Sequence, residues 1–239
     1  MAGLTYSTYV TTLAGLMVVP ESDAAFQTDL PSIIDDAELR CYRALDLLDT
    51  SVRDSSAALT AGNRNFNLPS VFGTSVVPQE INVITPVGTS DPELGTRNAL
   101  VPASTEMLNM LWPSSAGSTV PQYFAMVNQG LIIVGPWPDA AYQIESVNTI
   151  RPPALSSTNM TTLLSVNFPD LLLAGSMVRA AGFQKNYGSA VDDPKAAVTW
   201  ESHFQAILGG ATLEEARKQF ESTGWSSKQP EPTATPPRT

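Results

Sequence analysis

The chain holds one histidine, one cysteine and twenty-three carboxylates, and their spacing limits the chemistry open to it. His203 follows Trp200 and precedes Phe204 in a stretch of helical periodicity. No second His and no Cys stands at ligand spacing, so a His–Cys metal centre is excluded. His203 therefore reads as a helical residue and not as a general base. Cys41, alone, rules out an intramolecular disulfide framework and falls on an apolar stripe, where a thiol packs as a small hydrophobe. Adjacent acids occur at Asp35-Asp36, Asp192-Asp193 and Glu214-Glu215. These lie on helix surfaces or at helix starts, where a carboxylate meets the positive end of the helix dipole. A glycosidase needs only two carboxylates that meet in space, so a glycan hydrolase built on such a pair stays open as an alternative. Gly130, Gly135 and Gly209-Gly210 form neither a phosphate loop nor a dinucleotide fingerprint, and no G-x-S-x-G elbow is present. The expectation is no enzymatic chemistry, no metal and no cofactor.

Such groups, if they act at all, need a scaffold, and 239 residues can bury a sizeable core as one domain or as one domain with an insertion. The charged share is low, 15%, and 19 prolines are many. This composition fits a loop-rich subunit with much contacting surface. The net charge of −10 gives no basic patch for duplex DNA, whose phosphates need clustered Lys and Arg. Two readings of that charge stand. It confers solubility, or it lines a channel past which DNA slides without sticking. No basic stretch precedes an apolar one at the N-terminus, so no signal peptide is expected. The most apolar helix candidate, 168–183, carries Asp170 and Arg179 and is too short to span a bilayer.

Along the chain, Tyr6, Tyr9, Val10, Leu13, Leu16 and Met17 recur at helical spacing, and Pro20 stops them. Asp29 is placed to cap a second helix with Pro31 in its first turn. Ile33, Ile34, Ala37, Cys41, Ala44, Leu45 and Leu48 form its apolar stripe, and Asp35, Asp36, Glu38, Arg40, Arg43 and Asp46 its polar face. Residues 50–150 change character: Gly, Pro, Asn, Ser and Thr punctuate short β-branched runs at 71–72, 76–77, 81–84, 123–127, 131–134 and 142–147. The runs at 131–134 and 142–147 read as a hairpin with a longer loop. A long loop is expected over 86–104, then a short helix over 105–112 capped by Ser104 or Thr105. Helices return afterwards. Asn167 caps a segment ended by Gly182. Asp193-Pro194 opens the next, which Gly209-Gly210 closes, and Thr212 with Glu215 has capping-box spacing for a last helix ended by Gly224. Residues 226–239, with four prolines and no long apolar run, read as an extended or disordered arm. The class is α+β: a helical bundle of N- and C-terminal helices (1–49 and 151–225), an inserted β-rich module (50–150) and the arm (226–239). Trp137, in the proline turn, reads either as an intersubunit anchor, since Trp is enriched in interface hot spots, or as a plug in the core.

Several segments in order resemble the head-to-tail adaptor (connector) proteins of tailed bacteriophages. They are the strand before Pro136-Trp-Pro-Asp-Ala-Ala-Tyr142, that turn, the strand after it, Arg151-Pro-Pro-Ala-Leu-Ser156, Phe168-Pro-Asp-Leu-Leu-Leu-Ala174, and a late helix with Trp200 and Phe204. The resemblance implies a structural virion protein with no catalytic site. It implies a homo-oligomeric ring, a dodecamer, under the portal protein in the neck of the virion, assembled in the host cytoplasm. Such a ring bridges the portal to a tail or nozzle protein and continues the DNA channel, with no sequence-specific DNA binding and no membrane. It also implies that the C-terminal arm docks on the portal, with Trp225, Lys228, Pro230, Pro232 and Arg238 as its contact residues. Besides the hydrolase, a fibre-type or sugar-binding virion module is the competing reading.

Overall fold

The structure is a computed structural model that describes residues 3–184 and 196–222. It divides into two compact units: residues up to Leu48 with those from Leu155 on, and Asp49–Ala154. The mixed α+β class expected from the sequence is what the structure shows.

The first unit is helical. Helix α1, Tyr6–Met17, starts at Thr5, whose side chain accepts from Thr8 N–H while Thr8 answers on the Thr5 N–H. It ends with Val18 in the left-handed conformation (φ 57°) and Val19 N–H on Ala14 O at 3.1 Å. That closure ordinarily uses glycine. Helix α2 runs Ala24–Ala44 from an Asp23 cap and carries Pro31 inside it. The expected start at Asp29 is thus one turn and a half late. Asp23 takes the Phe26 N–H at 2.8 Å, and the seven residues ahead of Pro31 already place Phe26 and Leu30 in the core. A one-turn helix α4, Leu163–Asn167, precedes α5, Pro169–Gln184. Asn167 therefore ends a helix instead of starting one, and Gly182 lies within α5. Helix α6 runs Ala196–Ser222 without interruption. Gly209-Gly210 does not close it, because nothing competes with the helical hydrogen bonds there, and the Thr212 hydroxyl donates back to Leu208 O at 2.8 Å instead of capping a new helix. Asp193-Pro194 and Gly224 lie outside the described residues.

These helices share one core, with Tyr9 and Leu13 of α1, Phe26, Ile33, Ile34 and Ala37 of α2, Leu171, Leu172 and Met177 of α5, and Phe204 of α6. Gly175 makes the closest approach possible: a Cβ there would stand 3.2 Å from the Phe204 ring and 3.5 Å from Ala37 Cβ. Tyr9 Oη and Ser176 Oγ lie 2.6 Å apart inside this core.

The second unit is a sandwich of two four-stranded sheets. Strands β1 (Ser51–Ala58), β2 (Asn65–Asn67), β3 (Thr74–Thr85), β4 (Thr96–Ala99), β5 (Val101–Pro102), β6 (Tyr123–Asn128), β7 (Leu131–Gly135) and β8 (Gln143–Arg151) form orders β1-β8-β3-β4 and β2-β7-β6-β5. All pairs are antiparallel except β5 with β6. Ile81, Val83 and Ile144 of the first sheet meet Phe66, Ile132 and Val134 of the second. The back of the second sheet packs on helix α3, Thr105–Leu111, through Leu108, Ala125 and Ile133. Ser104 is its cap, accepting from Met107 N–H at 3.1 Å.

The expected hairpin is not formed. β7 and β8 lie in different sheets, and the segment between them crosses from one sheet to the other. The partner of β7 in sequence is β6, joined through a tight turn in which Asn128 Oδ1 accepts from the Gly130 and Leu131 N–H groups at 3.0 and 2.9 Å. Period-two alternation fixes which face a strand buries but not which strand lies beside it. Two further differences follow from burial. The stretch 86–104 holds β4 and β5, two short edge strands too polar or too brief to show a pattern. Val71 and Phe72 are exposed and outside any strand.

Candidate assembly interface

Cys41 and most of the paired acids among the described residues are held in structural contacts. Cys41 is fully buried, and burial pushes its thiol up to about 12, so no thiolate forms near neutral pH. His203 is exposed on α6, edge-on to Trp200 at 5.8 Å between rings. Asp36 pairs with Arg179. Glu214 and Glu215 both bind Lys218, at 2.9 and 2.7 Å, and buried Glu215 also accepts from Leu48 N–H at 3.1 Å. Asp192-Asp193 lies outside the described residues. Among the described residues, no three His, Cys, Asp or Glu side chains group as metal ligands.

Two buried carboxylates do architectural work: Glu38, which the pattern of α2 sets on the polar outer face and which the structure instead buries beside Ile34 and Cys41, and Glu145, which carries no expectation from the sequence. Glu38 on α2 is 3% exposed and accepts from Leu155 N–H (3.3 Å) and Thr162 Oγ1 (3.1 Å). It fastens the first residues after Pro152-Pro153 to the helical core. Burial pushes its carboxyl up to about 7, against the lowering effect of those two donors. Glu145 on β8, 2% exposed, is held by Arg97 of β4 through two hydrogen bonds of 2.7 and 3.1 Å, with Arg53 of β1 at 3.7 Å. The Arg97 guanidinium holds Glu145 below the usual carboxylate range. Arg97, β3 and β8 thereby lock the register of the first sheet across three strands. For Glu38 a signal existed in the spacing, four residues after Ile34 and three before Cys41, both of which are buried.

Trp137 is half-buried inside the second unit. Its indole Nε1 donates to Trp112 O at 3.1 Å, and the Arg64 guanidinium sits 5.1 Å above the ring while bonding Asn109 of α3. Trp112 in turn lies 5.7 Å from the Tyr123 ring and occupies the space a Cβ on Gly135 would take. The proline turn thus packs on the end of α3. The outward face of that helix is apolar: Met110 is 75% exposed, with Met107, Leu111 and neighbouring Val101 also open. A second apolar area lies where Gln129 Nε2 binds Ser75 O at 3.0 Å, tying the β6–β7 turn to β3. Val76, Val77, Met126 and Val127 are exposed on these segments. Contiguous exposed apolar groups of this kind mark contact surfaces.

Two grooves of similar size open on the described surface. One, about 560 Å³, lies between the α4–α5 elbow (Phe168, Pro169, Asp170) and α6 (Ile207, Gly210, Glu214). The other, about 550 Å³, is lined by Thr85, Asn98, Val101, Val120, Gln122 and Tyr123. Asp170 and Glu214 share the first groove, yet both are exposed, Asp170 Oδ1 accepting from Leu171 N–H and Glu214 paired with Lys218. A glycosidase acid is kept protonated by burial, and these two have none. No helix among the described residues is long and apolar enough to cross a membrane.

The SU10 adaptor protein family model matches residues 4–227, through both units and nearly the whole chain. The chain belongs to the SU10 adaptor protein family. It is accordingly a structural adaptor of a tailed bacteriophage, a virion component, as the ordered segments from Pro136 to Phe204 indicated. No curated protein gives a significant match. The arm residues Trp225, Lys228, Pro230, Pro232 and Arg238 lie outside the described residues.

Proposed function

We propose that this adaptor assembles as a twelvefold ring beneath the portal in the virion neck, bridges the portal to a tail or nozzle protein, and continues the channel through which DNA passes. The observation that carries this reading is the family match over 4–227, which spans helical unit and sandwich alike. In it, residues 1–49 and 151–225 are the body, 50–150 the inserted module and 226–239 the portal-binding arm. A ring of identical copies needs a head-to-tail interface, one patch against a different patch. The open faces at Met107–Leu111 and at Val76–Val77 with Met126–Val127 are two distinct apolar patches on one module, and the tryptophan anchor, Trp137, stands beside the first. The net charge of −10 suits a wall that does not retain DNA. The chemistry this role needs is contact and not turnover.

The test is assembly with the portal protein of the same phage. Mixing should give, by negative-stain microscopy and native mass spectrometry, a ring of twelve adaptor copies on the portal. Deleting 226–239 should leave the helical signal intact and weaken portal binding at least tenfold. Each exposed charge contact is worth only about 0–1 kcal/mol, so the arm must act through many contacts together. Absence of any portal complex, or equal binding by the truncated chain, would remove the ring or the arm from this proposal.

A further inference from the structure

The sandwich carries an apolar knob at one end and a groove at the other. Segments 68–77 and 126–130 meet at the first end, where Leu68 N–H donates to Gly130 O at 2.8 Å and Gln129 Nε2 to Ser75 O. A turn closed there by Gly73 N–H on Ser70 O, at 3.2 Å, carries Val71 and Phe72 at its tip, 70% and 51% exposed. The turn is held firmly. Gly73 has φ +143° and packs so closely on Arg151 that a Cβ would stand 2.3 Å from its carbonyl oxygen. Two large apolar side chains are thus offered on a fixed backbone, with exposed Val77 and Val127 on the flanking segments. A knob already fixed in place has little ordering entropy left to lose on docking.

The groove lies at the opposite end of the same strands. β3 starts beside the knob at Thr74 and reaches the groove of about 550 Å³ at Thr85, a strand of 12 residues, on the order of 40 Å long. β4 and β5, the outer strands of the two sheets, border it. Val101, Val120, Pro121 and Tyr123 supply apolar walls. Two of its polar groups are already bonded to the sheet, since Asn98 Nδ2 donates to Val83 O at 3.1 Å and to Thr85 Oγ1 at 2.9 Å. An apolar side chain seated here leaves those bonds intact, so its docking strands neither group.

The charges at the two ends match. Segments 68–77 and 126–130 carry none. The strand charge beside the knob is Arg151, which pairs in register with Thr74 and is exposed. The loop that leaves the groove at Thr85 carries Asp91 and Glu93. Arg97 takes Glu93 at 2.6 Å, whereas Asp91 is exposed and holds only the Glu93 N–H, at 3.0 Å. We propose that the Val71–Phe72 knob of one copy seats in the β4–β5 groove of the next copy, with Arg151 of the first facing Asp91 of the second. A second copy is the fitting occupant because every chain carries both halves of the contact, at opposite ends of one module. The contact is heterologous: a pair joined this way still offers one knob and one groove, so further copies add until a ring closes. The exposed charge pair sets orientation more than affinity. This inference rests on the assembly reading above and names the surfaces through which it would work.

The experiment uses two full-length variants, Val71→Cys beside the knob and Gln122→Cys in the groove, both at exposed positions. Cys41 is buried and stays unreacted. Mixed at high concentration and treated with a short bis-maleimide, the two variants should give a cross-linked pair, and either variant alone should give far less. A chain carrying both substitutions should give a ladder that extends beyond the dimer. Phe72→Ser, added to Val71→Cys, changes an exposed side chain and leaves the fold standing, as the circular-dichroism spectrum will show, and it should cut the mixed product about tenfold. Equal cross-linking by one variant alone, a product that stops at the dimer, or a yield that Phe72→Ser leaves unchanged would overturn the proposal. So would the absence of any mixed product, which would give the groove to a different protein. None of these readouts needs a portal. A ring on the portal that does not cross-link at these positions refutes the contact alone, whereas cross-linking without a portal complex removes the portal from the assembly reading and leaves the contact standing.

Discussion

Replacing Glu38 by Gln should stabilise the helical unit at pH 8 and leave it unchanged near pH 4. Glu38 is buried at α2 and its carboxyl is raised from an ordinary 4.5 to about 7, chiefly by loss of water. The folded state therefore keeps a proton that the unfolded state has given up between those values. Stability from this group is complete below pH 4.5, falls as pH rises, and is lost above pH 7. Between pH 5 and pH 8 the loss amounts to about 2.5 kcal/mol, from 1.36 kcal/mol per tenfold change in proton affinity. The neighbours do not blur the window. Tyr9, Tyr42 and Cys41 are all pushed up by burial and stay protonated across it, while Asp35 only adds to the rise of Glu38. Glutamine keeps an oxygen for Leu155 N–H and Thr162 Oγ1 and brings an amide donor. Tyr42 Oη, one turn along the same face and buried without a partner, can accept from it. The assay is urea unfolding followed at 222 nm, where the helices dominate, at pH steps from 4 to 8. Wild-type minus variant stability isolates Glu38, because the carboxylates with lowered values, such as Glu145 and Glu201, are common to both. Parallel profiles, within about 0.5 kcal/mol at every pH, would show that the buried carboxyl titrates normally and that the reasoning is wrong.

Three further outcomes are expected. Arg97→Met leaves the buried Glu145 with only the long contacts to Asn82 Nδ2 at 3.5 Å and Arg53 at 3.7 Å and should lower the melting temperature, whereas the double variant Arg97→Met/Glu145→Met should recover most of that loss. Gly73→Ala should destabilise by more than about 2 kcal/mol, since φ is +143° and the new Cβ would stand 2.3 Å from Arg151 O, while Gly62→Ala, at φ +71° with open space around it, should cost about 1 kcal/mol in the same melt. Val18→Gly should raise stability by about 1 kcal/mol, because Val18 holds a left-handed conformation at the end of α1 and is 89% exposed, so no burial is lost.

The helical half of the molecule was largely legible, because amphipathic stripes are local. Ile33, Ile34, Ala37 and Cys41 announce a buried face whatever they pack against. Helix ends were less so. Asp29 looked like a cap because Pro31 follows it, yet a proline is tolerated inside α2 when the turns on both sides bury Phe26, Leu30 and Ile33. Gly209-Gly210 looked like a stop, but glycine breaks a helix only weakly when neighbours such as Phe204 and Ala211 remain packed. In the sandwich, Leu131–Gly135 and Gln143–Arg151 were visible as strands, and their separation into two sheets was not, since partner choice depends on residues far away in the chain. The strand Ser51–Ala58 carries one Val and no aromatic. Its place beside β8 is set by edge pairing and by the Glu145 cluster. The contact surfaces were the least legible of all: Met110 and Val127 are exposed because of how their elements dock, which periodicity cannot foresee.

The interleaving of the two units has a consequence for the order of events during synthesis. Helices α1 and α2 leave the ribosome first, yet their apolar face is closed by α5 and α6, whose residues follow after more than a hundred others. At ordinary elongation rates that is a wait on the order of ten seconds. Phe26, Leu30, Ile33 and Ile34 stay without their final partners throughout it, while the sandwich, with a core of its own, completes in between. The nascent adaptor is thus a finished module flanked by an unfinished one, and the yield of functional subunits depends on what shields those four side chains until Leu171 and Leu172 emerge.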